Sequence, residues 1–212
     1  MSISDYSVIG DVKIVCGIPA GDTSRDDLIN YLIPKVSRHI DRYCKRHFWP
    51  KTGSEVYDYQ GEFKLWLRGD LQSLTSIVNG DGTTMDISTN KMFLYPLNGP
   101  PYQWIEMNVS SGITFRWTPT TDQQAITVTG VWGYLEDGDT PEPIKDACAE
   151  WIKYLLTVSK LAGVKSTTIG DFSTSYSNVL DYLKNGPPNE AAFYLDGYIK
   201  RRFATTSREI AP

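Results

Sequence analysis

The apolar residues of this chain change their spacing twice, and that limits the folds open to it more than any other feature. Leu28, Leu32, Val36, Ile40, Cys44 and Phe48 recur every four residues, with Ile29, Ile33 and Tyr43 widening the stripe. That spacing predicts an amphipathic helix. From residue 54 to 134 the period falls to two. Leu65 and Leu67 alternate with Lys64, Trp66 and Arg68; Ile105, Met107 and Val109 with Glu106 and Asn108; Ile113, Phe115 and Trp117 with Thr114, Arg116 and Thr118; Ile126 and Val128 with Thr127 and Thr129. Short period-two runs predict half-buried strands. Helical spacing returns in Ile144, Cys148, Trp151, Ile152, Leu155, Val158 and Ala162.

The punctuation between these runs sets boundaries. Thr23 and Ser24 are cap candidates, with Asp26 and Asp27 in the first turn, where the helix dipole favours carboxylates. Pro34 removes a backbone donor inside this helix and predicts a kink or a restart. Pro50 and Gly53 close it. Asn79-Gly80-Asp81-Gly82 predicts a tight turn, since Asn and Gly tolerate positive φ, and Gln60-Gly61 a weaker one. Asn98-Gly99-Pro100-Pro101 is a loop, because paired prolines cannot join a ladder. Thr140 is the cap candidate for the later long helix, Pro141 suits its first turn, and Gly163 its stop. Val164 to Ser177 reads as loop or a short extended piece, and Asn178 to Leu183 as one helical turn or a short helix. After Gly186-Pro187-Pro188, Asn189 can cap a final helix from Glu190 to Phe203.

The expected fold class is therefore α+β: a bundle of about three to four helices carrying a β-rich insertion of roughly six to eight short antiparallel strands between the first and second long helices. Residues 1–22 form an N-terminal arm with one short strand around Val12–Val15. Residues 23–53 and 140–204 form the helical domain, 54–139 the β-rich insertion, and 205–212 an aperiodic, flexible tail.

With 212 residues the chain can bury a core without disulfides or metal. Cys16, Cys44 and Cys148 are odd in number and have no metal or redox spacing, and Cys44 and Cys148 fall on apolar stripes. The first residues lack the pattern of a signal peptide, and no run approaches a membrane span. His39 and His47 have no further ligands nearby for a metal. Asp81 to Asp86 lacks the acidic spacing of a calcium loop. There is no Gly-x-Ser-x-Gly and no Gly-Lys-Ser or Gly-Lys-Thr. The expectation is a protein that is not an enzyme and holds no cofactor.

Charge is informative. The net charge of −4 argues against a bulk nucleic-acid binder. Yet Lys35, Arg38, Arg42, Lys45 and Arg46 line the polar side of the first long helix, with Asp41 alone among them. Glu136, Asp137, Asp139, Glu142, Asp146 and Glu150 surround the start of the second, and Lys200, Arg201, Arg202 and Arg208 mark the chain end. These are ordinary solvated faces, or they are complementary faces that stack copies head to tail, or the basic helix meets DNA phosphates. Six Trp and thirteen Tyr suit interfaces as well as cores.

Several segments together resemble one family. Ile40-Asp41-Arg42-Tyr43-Cys44-Lys45-Arg46-His47-Phe48 is similar to the helix end of the head–tail connector (adaptor, neck) proteins of tailed bacteriophages. Tyr57-Asp58, Leu65-Trp66-Leu67, Leu74-Thr75-Ser76-Ile77, the loop Ile169 to Ser177 and the closing Tyr198 to Phe203 resemble the same family in the same order. The resemblance implies a structural virion protein without catalysis. It implies a homo-oligomeric ring, commonly of twelve subunits, that sits between the portal and a stopper or tail-completion protein. Genomic DNA would pass through its lumen without sequence-specific binding, in the virion neck, after assembly in the host cytoplasm. Tyr198, Ile199, Lys200, Arg201, Arg202, Phe203 and Arg208 would then contact the portal. Lys35, Arg38, Arg42, Lys45, Arg46, Glu142, Asp146 and Glu150 would lie at subunit interfaces or along the lumen. An alternative is a virion-surface or baseplate-associated binding module whose β-rich part recognises a ligand or partner through an exposed platform of Trp66, Trp104, Trp117 and Trp132.

Overall fold

The computed structural model describes residues 5–88, 90–162, 166–169, 172–175 and 183–200. Within these, α1 (Ile9–Cys16) and α2 (Asp26–Cys44) lead into β1 (Lys51–Tyr57), β2 (Lys64–Val78), β3 (Met92–Tyr95), β4 (Tyr102–Met107) and β5 (Ile126–Trp132). Then follow α3 (Glu142–Ala162), a hairpin of β6 (Ser166–Ile169) and β7 (Phe172–Ser175), α4 (Asn189–Leu195), and a 3-10 turn at Asp196–Tyr198. The class is α+β.

The helices share one apolar core. Ile29, Val36 and Ile40 of α2 meet Ile144, Cys148, Trp151 and Ile152 of α3, with Val12 of α1 and Ala191 and Leu195 of α4. The four-residue repeat of α2 does what it predicts: Leu32, Val36, Ile40 and Cys44 are all buried. Pro34 does not break the helix, which runs unbroken from Asp26 to Cys44. Both Pro34 and Asn30, whose carbonyl loses its donor, lie on the exposed side, where water can take that carbonyl.

The expected strand at Val12–Val15 is instead the middle of α1. Its β-branched residues favour extended backbone, but burial of Val12 and an end cap decide otherwise. Gly17 adopts φ 65°, and its N–H reaches back to Ile14 O. Lys13, also buried, pairs with Asp26 at 2.6 Å and ties α1 to the start of α2.

The five-stranded sheet is antiparallel throughout, in the order β1-β5-β2-β4-β3. It holds five strands where six to eight were expected. The difference lies at Ile113–Trp117, whose alternation is real but whose backbone joins no ladder. Phe115 is buried and its N–H donates to Glu62 O. The buried Asn79 replaces a partner strand: its amide donates to Thr114 O, and its carbonyl accepts from Arg116 N at 2.8 Å. The expected turn at Asn79–Gly82 is present, closed by Gly82 N–H to Asn79 O. Gly80 is needed there, because a Cβ would lie 2.3 Å from Arg116 O.

β2 is fifteen residues long and serves two neighbours, β4 with its first part and β5 with its second. Its register shifts between Leu71 and Ser73 and again between Leu74 and Ser76. Gly130 of β5 pairs with Leu74 between these irregularities, and a Cβ on it would meet Ser73 O at 2.2 Å. Leu65, Ile77, Ile105, Met107, Phe115, Ile126, Val128 and Trp132 form this sheet's own apolar core.

Two helix ends differ from expectation. Thr140 does not cap α3: its hydroxyl donates to Phe48 O at 2.6 Å, pinning the helix start to the end of α2. The closing helix is short. Pro188 sits at its N-cap position, Asn189 is its first residue, and it yields at Asp196-Gly197 to a 3-10 turn and then to extended backbone at Ile199. Gly163, most of 178–183, Arg201 to Phe203 and the tail lie outside the described residues.

Candidate functional site

The helical core and the sheet core meet where α2 ends, and the last described residues cross that junction. Lys45 takes the left-handed conformation (φ 56°) that stops α2. This turns Arg46 inward. Its guanidinium lies over the Tyr134 ring at 4.6 Å and its Nε is 3.7 Å from Asp70 Oδ2. Asp70, on β2, is buried. It also pairs with Lys200 Nζ at 3.1 Å, and Lys200 Nζ donates to Arg68 O at 2.7 Å. Lys200 N–H donates to Cys44 O. One buried carboxylate thus joins the end of α2, the sheet and the chain end.

Aromatic packing makes the second half of the joint. Phe48, fully buried, meets Tyr6, Tyr134 and Tyr198 edge-to-face with centroids 5.9, 6.0 and 5.8 Å away. Tyr198 donates to Glu136 Oε1, and burial, then Glu136, pushes its hydroxyl up to about 12. Tyr43 donates to Asp196.

The chain start is locked onto the same region. Tyr6 N–H donates to Ser37 Oγ, its hydroxyl donates to Asp41 Oδ1, and Phe48 N–H donates to that hydroxyl oxygen. Arg38 pairs with Asp41 at 2.9 Å. Burial pushes the Asp41 carboxyl up to about 6, against the lowering effects of the Tyr6 hydroxyl and the Arg38 guanidinium. A carboxyl raised on folding contributes stability in full below its unfolded value near 3.8 and loses it as pH rises through about 6. Relative to Asp41→Asn, the parent should therefore gain about 1–2 kcal/mol between pH 7.5 and 4. Urea unfolding of both proteins across that range checks this. A constant difference would mean the carboxyl does not titrate there.

The expected portal-contact residues divide. Tyr198, Ile199 and Lys200 are described, and Tyr198 and Lys200 are engaged within the chain as above. Arg201, Arg202, Phe203 and Arg208 lie outside the described residues. The charged candidates divide too. Arg46 is spent inside the junction and Lys45 is exposed at its rim. Lys35, Arg38 and Arg42 share one outer face of α2 and, with Tyr31, His39 and Lys184, line a groove. Glu142, Asp146 and Glu150 share the outer face of α3. There Glu142 pairs with Lys145 at 2.7 Å and Glu150 with Lys153 at 3.0 Å. His39 packs its ring on Trp151 and is held below the usual imidazole range by burial, then by Arg42 and Lys35.

The four tryptophans do not form one platform. Trp132 is inside the sheet core, and its indole N–H donates to Gly53 O. Trp117 is exposed beside Tyr59. Trp66 and Trp104 are cross-strand neighbours 5.0 Å apart, Tyr95 stacks on Trp104, and Lys64 Nζ lies over both indoles at 4.3 and 4.6 Å.

Burial pushes the thiols of Cys44 and Cys148 up to about 12. No group of His, Cys, Asp and Glu among the described residues could hold a metal ion, and no described helix is long and apolar enough to cross a membrane.

No protein-family model matches this sequence, and no curated protein is similar to it. Among solved structures, a chain from the neck of an empty GTA (gene transfer agent) particle, computed with C6 symmetry, is similar in fold. The TM-score is 0.52 at 11% identity, over 97% of this chain and 95% of that one. The two chains share a fold. A chain from the neck of a native GTA particle, computed with C12 symmetry, aligns over 85% of this chain and 90% of that one at TM-score 0.42 and 10% identity. The neck-protein likeness runs through the sheet as well as the helices, since it covers nearly the whole chain.

Asp70 and Tyr134 had no place among the sequence-derived candidates. The available signal was Gly69-Asp70, a carboxylate set between the apolar Leu67 and Leu71 of one strand.

Proposed function

We propose that this chain is a non-enzymatic structural protein of the neck of a phage-like particle. In this reading it forms a homo-oligomeric ring, commonly of twelve subunits, between the portal and the stopper or tail-completion protein. Genomic DNA passes through its lumen without sequence-specific binding. The end-to-end match to a neck protein in fold carries this reading. The junction supports it: Lys200 is anchored at Asp70, so the basic residues that follow, Arg201, Arg202 and Arg208, start from a fixed point on the surface. Those residues, with Phe203, Tyr198, Ile199 and Lys200, are assigned to the portal.

The test is negative-stain imaging of the protein mixed with its portal protein. The expected result is an added ring layer. Deleting residues 205–212 should abolish that layer while leaving the unfolding midpoint unchanged. A truncated chain that still adds the layer would exclude the tail from portal binding. A full-length chain that adds none would overturn the reading itself.

A second reading is a virion-surface or baseplate-associated binding module. The row of exposed Trp66 and half-buried Trp104 and Tyr95, with Lys64, favours it. It predicts that Trp66→Ala and Tyr95→Ala leave the portal layer intact and remove adsorption of particles to a target surface.

A further inference from the structure

The outer faces of α2 and α3 are complementary residue by residue, which leads past the neck reading to a specific contact between copies. On α2, Tyr31, Lys35, Arg38 and Arg42 follow one another at spacings of four, three and four. On α3, Glu142, Asp146, Glu150 and Tyr154 follow one another every fourth residue. Both Tyr31 (49%) and Tyr154 (38%) are exposed. The charged parts are nearly equal in length, about 10.5 Å from Lys35 to Arg42 and about 12 Å from Glu142 to Glu150, at 1.5 Å per residue.

We propose that the α2 groove of one copy seats the acidic stripe of α3 from a second copy, with the two helices running in opposite directions. In that register Arg42 faces Glu142, Arg38 faces Asp146, Lys35 faces Glu150, and Tyr31 faces Tyr154. The proposal rests on the neck reading for its biological setting but stands on this surface by itself.

The two stripes cannot meet within one chain. α2 and α3 pack on each other through their apolar faces, where Val36, Ile40, Ile144 and Ile152 share one core. The stripes lie on the outer faces, so they can meet only between copies. No Asp or Glu lines the groove among the described residues, while Lys184 adds a further cation to it. The region around the start of α3 holds Glu136, Asp137, Asp139, Glu142, Asp146 and Glu150 against Lys145 and Lys153. Direction follows from where each stripe sits. The basic one occupies the later half of α2 and the acidic one the earlier half of α3. Opposite running therefore brings an N-terminal dipole end to a C-terminal one. A row of every-fourth residues winds around its helix, so the helices should cross at an angle.

The choice of a second copy over DNA comes from the matched order and length of the two rows. A phosphate backbone would satisfy Lys35, Arg38, Arg42 and the Tyr31 hydroxyl in any order, whereas α3 carries three carboxylates and then a tyrosine in the matching order and over nearly the same length. Two different patches joined in this way make a heterologous interface, which produces closed rings or open filaments and not simple dimers.

The test uses the full chain in two variants: Lys35→Glu with Arg42→Glu, and Glu142→Lys with Glu150→Lys. Arg38 is left alone because it pairs with Asp41. Sedimentation equilibrium at low salt should show concentration-dependent association of the parent that weakens as salt is raised. Each variant alone should associate about tenfold more weakly or less, and their equimolar mixture should regain association, since the reversed faces complement each other. That recovery also shows that both variants are folded. A parent that stays monomeric, variants that associate like the parent, or a mixture that stays apart would each overturn the proposal. So would a groove variant that associates normally and loses only retention of a duplex DNA fragment. A portal ring layer that survives both reversals would sink this interface and leave the neck reading standing.

Discussion

Replacing Asp70 by alanine should destabilise the protein by about 3 kcal/mol, read as a lower urea midpoint with an unchanged slope. The reason is asymmetry. Asp70 is buried and holds two cations, and losing it leaves both in a poorly solvated place. The Arg46 side chain is 13% exposed and cannot readily reach water, while Lys200, at 22%, can swing outward in part. Lys200→Met alone should therefore cost less, about 1 kcal/mol, because Arg46 still neutralises the carboxylate. Replacing all three charges together, Asp70→Leu with Arg46→Met and Lys200→Met, should recover most of the loss, as apolar groups of similar size replace the buried charges. A cost below 1 kcal/mol for Asp70→Ala would mean that water already reaches the carboxylate.

That triad also explains which parts of the fold could be read in advance. The periods of α2 and α3 are legible because one face of each is buried against a single core, so spacing and burial agree. The β-block is legible as alternation, but its strand count is not. Ile113 to Trp117 alternates like a strand, yet its hydrogen bonds go to Asn79 and Glu62 and not to a ladder. α1 is hidden because eight residues carry too little periodic signal to outweigh β-branched side chains, and its stability comes from Val12, Lys13 and the Gly17 cap. Charged stripes on helices are visible in the sequence, since neighbours every third or fourth residue share a face. Asp70 is not, because its partner Lys200 lies 130 positions away and a carboxylate in a strand is expected to face water. For the same reason Arg46 and Lys45, adjacent in sequence and alike in charge, end with opposite fates. The left-handed turn at Lys45 sends one outward and the other into the joint.

Phe48→Ala should cost about 3–5 kcal/mol, the range for emptying a fully buried aromatic site. Phe48 closes the four-residue stripe of α2, and three tyrosine rings from distant parts of the chain pack edge-on against it. Phe48→Leu separates volume from ring geometry. Leucine fills most of the space but offers no ring edge, so its cost should be about 1–2 kcal/mol. The backbone of residue 48 stays in both variants, and so do its bonds to the Tyr6 hydroxyl and from Thr140. Hydrogen exchange at that amide then tells packing from tethering. If packing holds the joint, protection at residue 48 survives in the leucine variant and drops in the alanine variant, where Tyr6 loses the ring it rests on; if the tether holds it, protection survives in both. The consequence for assembly follows from position. Tyr198 rests on Phe48 two residues before Lys200 anchors the chain end, so a cavity there frees the segment that leads to Arg201 and Arg202. Under the proposed neck role, the alanine variant should lose the portal ring layer at temperatures where it is still folded, and the leucine variant should keep it. Equal loss in both would show that ring-to-ring geometry, and not filled volume, holds the chain end in place.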